Sequence, residues 1–277
     1  MKRKSHSHEV PMVYLRRVEL PDDPGGGWPN SIPSLRGGGG MDFDAPVTLL
    51  CGENGSGKST LMESLAVKLA APAVGRIDAG RDTTLDALRP YAKAMRTAFV
   101  RKPRTTLFLR SEDFFNFLQA MQAEREDMRR ELARVDEEYK DRSSFARGQA
   151  RMAFAGVIGD MESRYGRDLL DHASHGESFL RLFNERLVPG GLYLLDEPEA
   201  PLSPLRQLSL LAMIRDMVAK DCQFIIATHS PILLAYPGAA LYSFDTAPVA
   251  RTQYADLESI RLLRDFMQSP ERFLRHL

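Results

Sequence analysis

The sequence predicts an α/β fold, with a mixed sheet flanked by helices and a helical subdomain inserted between strands, in one domain of 277 residues. Three observations predict it. The apolar run 47–51 leads into a glycine-rich stretch and then into a helix-like run at 61–71. Two later apolar runs, within 191–199 and 221–231, each end in polar residues, as strands buried on both faces of a parallel sheet do. Between these regions, residues 112–187 carry apolar side chains at helical spacing.

Residues 1–9 are polar and read as a tail, although His6 and His8 have the chemistry of metal ligands. The first strand is expected at 12–20. Glycines and prolines over 21–33 and 37–40 mark turns, so a strand meander precedes the run at 47–51. Tyr14, Trp28 and Phe43 fall in this section, where an aromatic side chain either packs in the core or stacks on a base.

Gly52, Glu53, Asn54, Gly55, Ser56, Gly57, Lys58, Ser59 and Thr60 follow, and 52–59 fits G-x-x-x-x-G-K-[ST]. The order strand, loop, helix is what a phosphate cradle requires. Glycines allow the backbone to approach an anion with no Cβ in the way, and the opening helix adds its positive end. Lys58 would reach the β- and γ-phosphates, and the Ser59 hydroxyl would ligate Mg²⁺.

A helix broken at Pro90 is expected over 85–99, and a strand at 105–109. Arg96, Arg101, Lys102, Arg104 and Arg110 form a local basic cluster, which fits either phosphate contacts or a solvated face. From Phe114 through Leu118, Met121, Met128, Leu132, Val135 and Tyr139 the apolar steps alternate four and three, with Arg125 at the missing place. That pattern predicts a long amphipathic helix, a projecting arm or one packed along its own domain. A second helix follows through Met152, Phe154, Val157, Ile158 and Met161. Ser174 and Glu177 then form a capping box ahead of Phe179, Leu180, Phe183 and Leu187.

The run 191–199 ends in Asp196, Glu197, Pro198 and Glu199. Asp196, at the end of a buried parallel strand, has the chemistry to hold Mg²⁺ opposite Ser59. Glu197 would then orient and polarise the attacking water. The run 221–231 places His229 where a γ-phosphate contact would sit. The chain closes with a strand at 240–244 and one or two helices from 256. In the first of these, Leu257, Ile260, Leu263 and Met267 share a face expected to pack on the core, Asp256 reads as a cap, and Pro270 is a break.

Composition limits the partners. Thirty-seven basic residues against thirty-seven acidic ones leave no net charge to attract nucleic acid or a membrane surface, so any such surface is local. No apolar run approaches the roughly 18 residues of a membrane span. Two cysteines, Cys51 and Cys222, sit in or beside strand-like runs and read as buried thiols in a reducing, cytoplasmic setting.

Together, Gly-Glu-Asn-Gly-Ser-Gly-Lys-Ser at 52–59, Ser-His-Gly-Glu at 174–177, Leu-Leu-Asp-Glu-Pro-Glu at 194–199 and Ala-Thr-His-Ser-Pro at 227–231 resemble the motifs of the ATP-binding-cassette ATPases. More narrowly, they resemble the small soluble ATPases grouped near SMC, RecF and the double-strand-break-repair ATPases. The resemblance implies an ATPase using ATP and Mg²⁺. It also implies that Ser174 and Gly176 form a signature motif contacting ATP bound by a second copy, with two ATPs sandwiched in a head-to-tail homodimer that switches conformation. The sequence departs from the family at three places. His175 and Glu177 stand where a glycine and a glutamine are usual. The glutamine loop is not evident, with Glu112 a weak substitute and Gln119 and Gln122 already inside a helix. The segment 200–203 ends in Ser203 where aspartate is usual. A nucleotide-gated clamp on DNA or protein is the alternative function, and a transporter ATPase subunit a weaker one.

Overall fold

The computed structural model describes residues 12–22, 27–73, 83–165 and 175–275. Its centre is a six-stranded sheet in the order β5-β6-β7-β3-β8-β9. These strands are β3 (Val47–Cys51), β5 (Thr105–Arg110), β6 (Gly191–Asp196), β7 (Gln223–Ala227), β8 (Ala240–Ser243) and β9 (Ala250–Thr252). All pairings are parallel except that of β9 with β8. Every residue of β3, β6, β7 and β8 is buried, which explains why these segments read as continuous apolar runs instead of alternating ones.

Alternate residues of one strand feed two cores. Leu49, Tyr193, Leu195, Phe224 and Ile226 face one side, where they meet Phe114, Phe179 and Phe183. Leu50, Leu192, Leu194 and Ile225 face the other, against Leu61 and Leu65 of α1 (Lys58–Leu69). That second face also carries a small antiparallel sheet in the order β2-β1-β4, made of β1 (Leu15–Glu19), β2 (Gly40–Asp42) and β4 (Arg96–Phe99). The expected meander is thus real for β1 and β2, but β3 joins the other sheet. Buried Gln223 ties the two sheets together. Its Oε1 accepts from Tyr14 N at 2.8 Å and Leu15 N at 2.9 Å, and its Nε2 donates to Leu15 O at 2.9 Å.

The helix expected over 85–99 is corrected. Pro90 lies in the first turn of α2 (Arg89–Ala94), where its missing N–H is harmless, and Arg96–Phe99 pairs with β1 as β4. Pro90 therefore starts a helix instead of breaking one.

The long helical section is α3 (Ser111–Glu138) followed by α4 (Ser144–Tyr165). They run antiparallel: Arg151 bonds Asp136 near the turn, at 2.7 Å, and Arg125 bonds Glu162 further along, at 2.8 Å. Twenty-eight residues at about 1.5 Å each make α3 roughly 40 Å long. Arg125, the charged residue in the apolar stripe, is buried and paired across the helices with Glu162. Then come α5 (His175–Arg186), α6 (Pro204–Val218), α7 (Pro231–Leu234), α8 (Glu258–Gln268) and α9 (Pro270–Leu274).

Two expectations about the C-terminus change. Asp256 ends a short 3-10 turn, and the N-cap of α8 is Leu257, which makes no side-chain cap. Leu257 and Ile260 pack on the core as expected, but Leu263 and Met267 are exposed. The face continues past the edge of the body it was expected to cover. Among the described residues no helix is long and apolar enough to cross a membrane.

Candidate nucleotide site

Three adjacent parallel strands, β6, β7 and β3, end side by side, with Asp196 opposite Ala227 and Ala227 opposite Leu50. Their C-terminal ends carry the residues singled out above. Gly52, Gly55 and Gly57 have φ of 145°, 78° and 104°, values that favour glycine. At Gly57 a Cβ would lie 2.9 Å from Ile32 Cγ2 and from Ser34 Oγ, so the loop is also pressed from outside. Ser34 Oγ donates to Ser56 O. Glu53, Asn54 and Gly55 are exposed on the loop crest, and Thr60 is half-buried in α1.

Lys58 is buried, and its Nζ donates to Gly52 O at 2.8 Å and Glu53 O at 2.9 Å. Burial lowers its pKa, opposed by the nearby carboxylates of Glu197, Asp196 and Asp245. Ser59 Oγ lies 3.2 Å from Asp196 Oδ1. Burial pushes the Asp196 carboxyl up to about 7, despite the Ser59 hydrogen bond that favours its ionised form. A hydroxyl and a buried carboxylate that touch form an oxygen donor set suited to Mg²⁺, and a cation there would relieve the carboxylate's burial.

Glu197 has a left-handed backbone, φ 49°, held by its N–H to Ala227 O at 2.9 Å and by Ser111 Oγ donating to its carbonyl. A non-glycine residue in that region carries strain. Glu197 Oε1 lies 3.4 Å from His229 Nε2. Lys58, Ser59, Asp196, Glu197 and His229 are thus brought together.

The signature residues are not in this group. Ser174, and with it the capping box, lies outside the described residues. Gly176 opens α5, where a Cβ would fall 2.7 Å from Pro201 O and 3.1 Å from Arg206 Cδ. The segment 200–203 requires a glycine there. Glu177 pairs with Arg206 at 3.3 Å. Glu112, Gln119 and Gln122 are exposed on α3, whereas their neighbour Ser111 reaches Glu197. Arg110, counted in the basic cluster, is committed to Glu63 at 2.7 Å and Asp113 at 2.9 Å.

Two residues at the site escaped the sequence reading. Asp245 Oδ1 accepts from Glu53 N at 2.6 Å and braces the loop from beyond β8. Glu199 Oε1 accepts from Thr228 Oγ1 at 2.6 Å, His229 N at 2.7 Å and Ser230 N at 3.1 Å. The second glutamate of Asp-Glu-Pro-Glu was the available signal: a carboxylate three residues past a strand end faces the neighbouring strand's loop. Replacing Glu199 by Ala is expected to lower the unfolding midpoint and cut turnover about tenfold or more, since up to three donors lose their acceptor. Glu199→Gln, which keeps an acceptor oxygen, should recover most of both. Full turnover in the alanine protein would show that the His229 loop is held by other contacts.

Asp196→Asn is expected to stabilise the nucleotide-free protein by about 1–3 kcal/mol, and so to raise its unfolding midpoint, because it removes a buried charge. It should also abolish Mg²⁺-dependent turnover. A lower midpoint would mean that Asp196 is stabilised by its surroundings.

The fold and this geometry define a P-loop α/β protein, built around a glycine-rich loop at the end of a central parallel strand. Comparison with known proteins adds two local matches. An AAA-domain model matches residues 34–83, and a second AAA-domain model, whose description adds AbiEii toxin and Type IV TA system, matches residues 179–235. Gly52 to Thr60 lie in the first segment, and Asp196, Glu197 and His229 in the second. No curated protein matches the sequence. Among solved structures, the ADP conformation of an ATP-binding cassette of an ABC transporter is 16% identical over 91% of this chain and 99% of its own, with a TM-score of 0.49. The SMC head domain from Thermotoga maritima is 14% identical over 87% of this chain and 100% of its own, with a TM-score of 0.46.

Proposed function

We propose that the protein binds ATP with Mg²⁺ and hydrolyses it, and that two copies sandwich two ATPs head to tail, so that binding and hydrolysis drive a conformational switch. The observation that carries this reading is the convergence of Lys58, Ser59, Asp196, Glu197 and His229 at the ends of three neighbouring strands. Lys58 and the amides of 52–60 hold the phosphates, with Lys58 Nζ exchanging its two loop carbonyls for phosphate oxygens. Ser59 and Asp196 hold the metal, which supplies charge neutralisation on the phosphates. Glu197 orients the attacking water and accepts its proton, and His229 donates to the γ-phosphate as charge develops there. Glu199 keeps His229 at that distance.

In the dimer, Ser174 and Gly176 contact the ATP of the other copy, and the segment 112–187 acts as the subdomain that carries them. The test is the Glu197→Gln protein, with turnover and oligomeric state read together. A nucleotide-gated clamp is the second reading, favoured by the α3–α4 hairpin, which exposes Phe145 and Met152 near its turn. ATP-trapped Glu197→Gln protein that retains duplex DNA in a salt-dependent way would support it.

A further inference from the structure

We propose that the nucleoside of the bound triphosphate lies against the C-terminal helices α8 and α9, with Phe266 and Phe273 as its aromatic platform. This rests on the ATP-binding reading above. Topology sets the direction. The Ser59–Asp196 and Glu197–His229 pairs lie on the β6–β7 side of the glycine-rich loop, so the metal and the terminal phosphate face that side. A triphosphate crossing the loop therefore leaves toward β8, on the opposite flank of β3.

A cavity of 1310 Å³ follows that path. It runs from Thr228 and His229 past the loop crest and Asp245 to Phe266 and Phe273. Small-molecule pockets hold roughly 300–1,000 Å³, so phosphates and nucleoside fit in one continuous space. The two phenylalanines meet edge to face with centroids 5.7 Å apart, and each remains 37% exposed. A half-exposed aromatic pair on a cavity wall offers a flat base the π-face it stacks on. The aromatics expected from the sequence do not serve. Tyr14 and Phe43 are buried, and Trp28, although exposed, does not line the cavity. The exposure of Leu263 and Met267, left over from core packing, belongs to the same helix.

The experiment titrates full-length protein calorimetrically with Mg-ATP and with Mg-tripolyphosphate, which has the phosphates but no nucleoside. Phe266→Ala and Phe273→Ala are each expected to weaken ATP about tenfold and leave tripolyphosphate unchanged. Phe266→Trp should keep ATP affinity and show tryptophan emission quenched by ATP but not by tripolyphosphate. This readout does not depend on how the alanine variants fold. Unchanged ATP affinity in both alanine variants, or equal loss of both ligands, would overturn the proposal. So would loss of an ATP-induced dimer at unchanged ATP affinity, which would assign this face to a second copy of the chain. A wild-type protein that binds tripolyphosphate as tightly as ATP removes the nucleoside site alone. One that binds neither removes the ATP-binding reading as well.

Discussion

Glu197→Gln is expected to bind ATP with near wild-type affinity while turnover falls about 10²–10⁴-fold, the range for loss of a positioned general base. The amide keeps the size and the contact with His229, so the loop geometry survives, but it no longer accepts the proton of the attacking water. Its left-handed backbone is held by main-chain and Ser111 contacts that the substitution does not touch. Bound ATP should then persist and, on the sandwich reading, hold two copies together. Light scattering during size exclusion with Mg-ATP should report twice the monomer mass, reverting when nucleotide is removed. Unchanged hydrolysis would remove Glu197 from this role. A slow monomer with ATP bound would retain the base and remove the sandwich.

Lys58→Ala is expected to act earlier in the cycle. It removes a charge-assisted hydrogen bond to phosphate, worth about 1.5–3 kcal/mol, so ATP affinity should fall roughly 10–150-fold. A second effect adds to this, because Gly52 O and Glu53 O lose the ammonium that joins them in the nucleotide-free protein. The loop should loosen, seen as faster amide exchange over 52–57. Calorimetric titration with Mg-ATP measures the first effect directly. Wild-type affinity in Lys58→Ala would show that the loop amides carry the phosphates without it.

Much of this site was legible in the chain because its chemistry is local. A glycine-rich loop between a strand and a helix has few geometries, and buried parallel strands appear as uninterrupted apolar runs whose last residues lie at one edge. Lys58, Ser59, Asp196, Glu197 and His229 could therefore be placed at the loop and the strand ends from position alone. Arg125 shows where locality ends. In the sequence it is a fault in an apolar stripe, and only the antiparallel return of α4 brings Glu162 to it. Pro90 is similar, since a proline that breaks a helix and one that begins it read alike until the preceding turn is seen.

Motif spacing and apolar period, which depend on neighbours a few residues away, were enough for the α/β class, the phosphate loop, the carboxylate pair and the long helices. Folding supplied what depends on strand order and on residues distant in the chain. It set β7 between β3 and β6, so that Ser59 meets Asp196 across 137 positions of sequence. It brought Glu199 under the His229 loop and Asp245 against Glu53, and left α8 with an apolar face over the cavity. Such contacts follow from the crossover connections of a parallel sheet, which join distant segments at one edge and leave no mark in any short window of sequence.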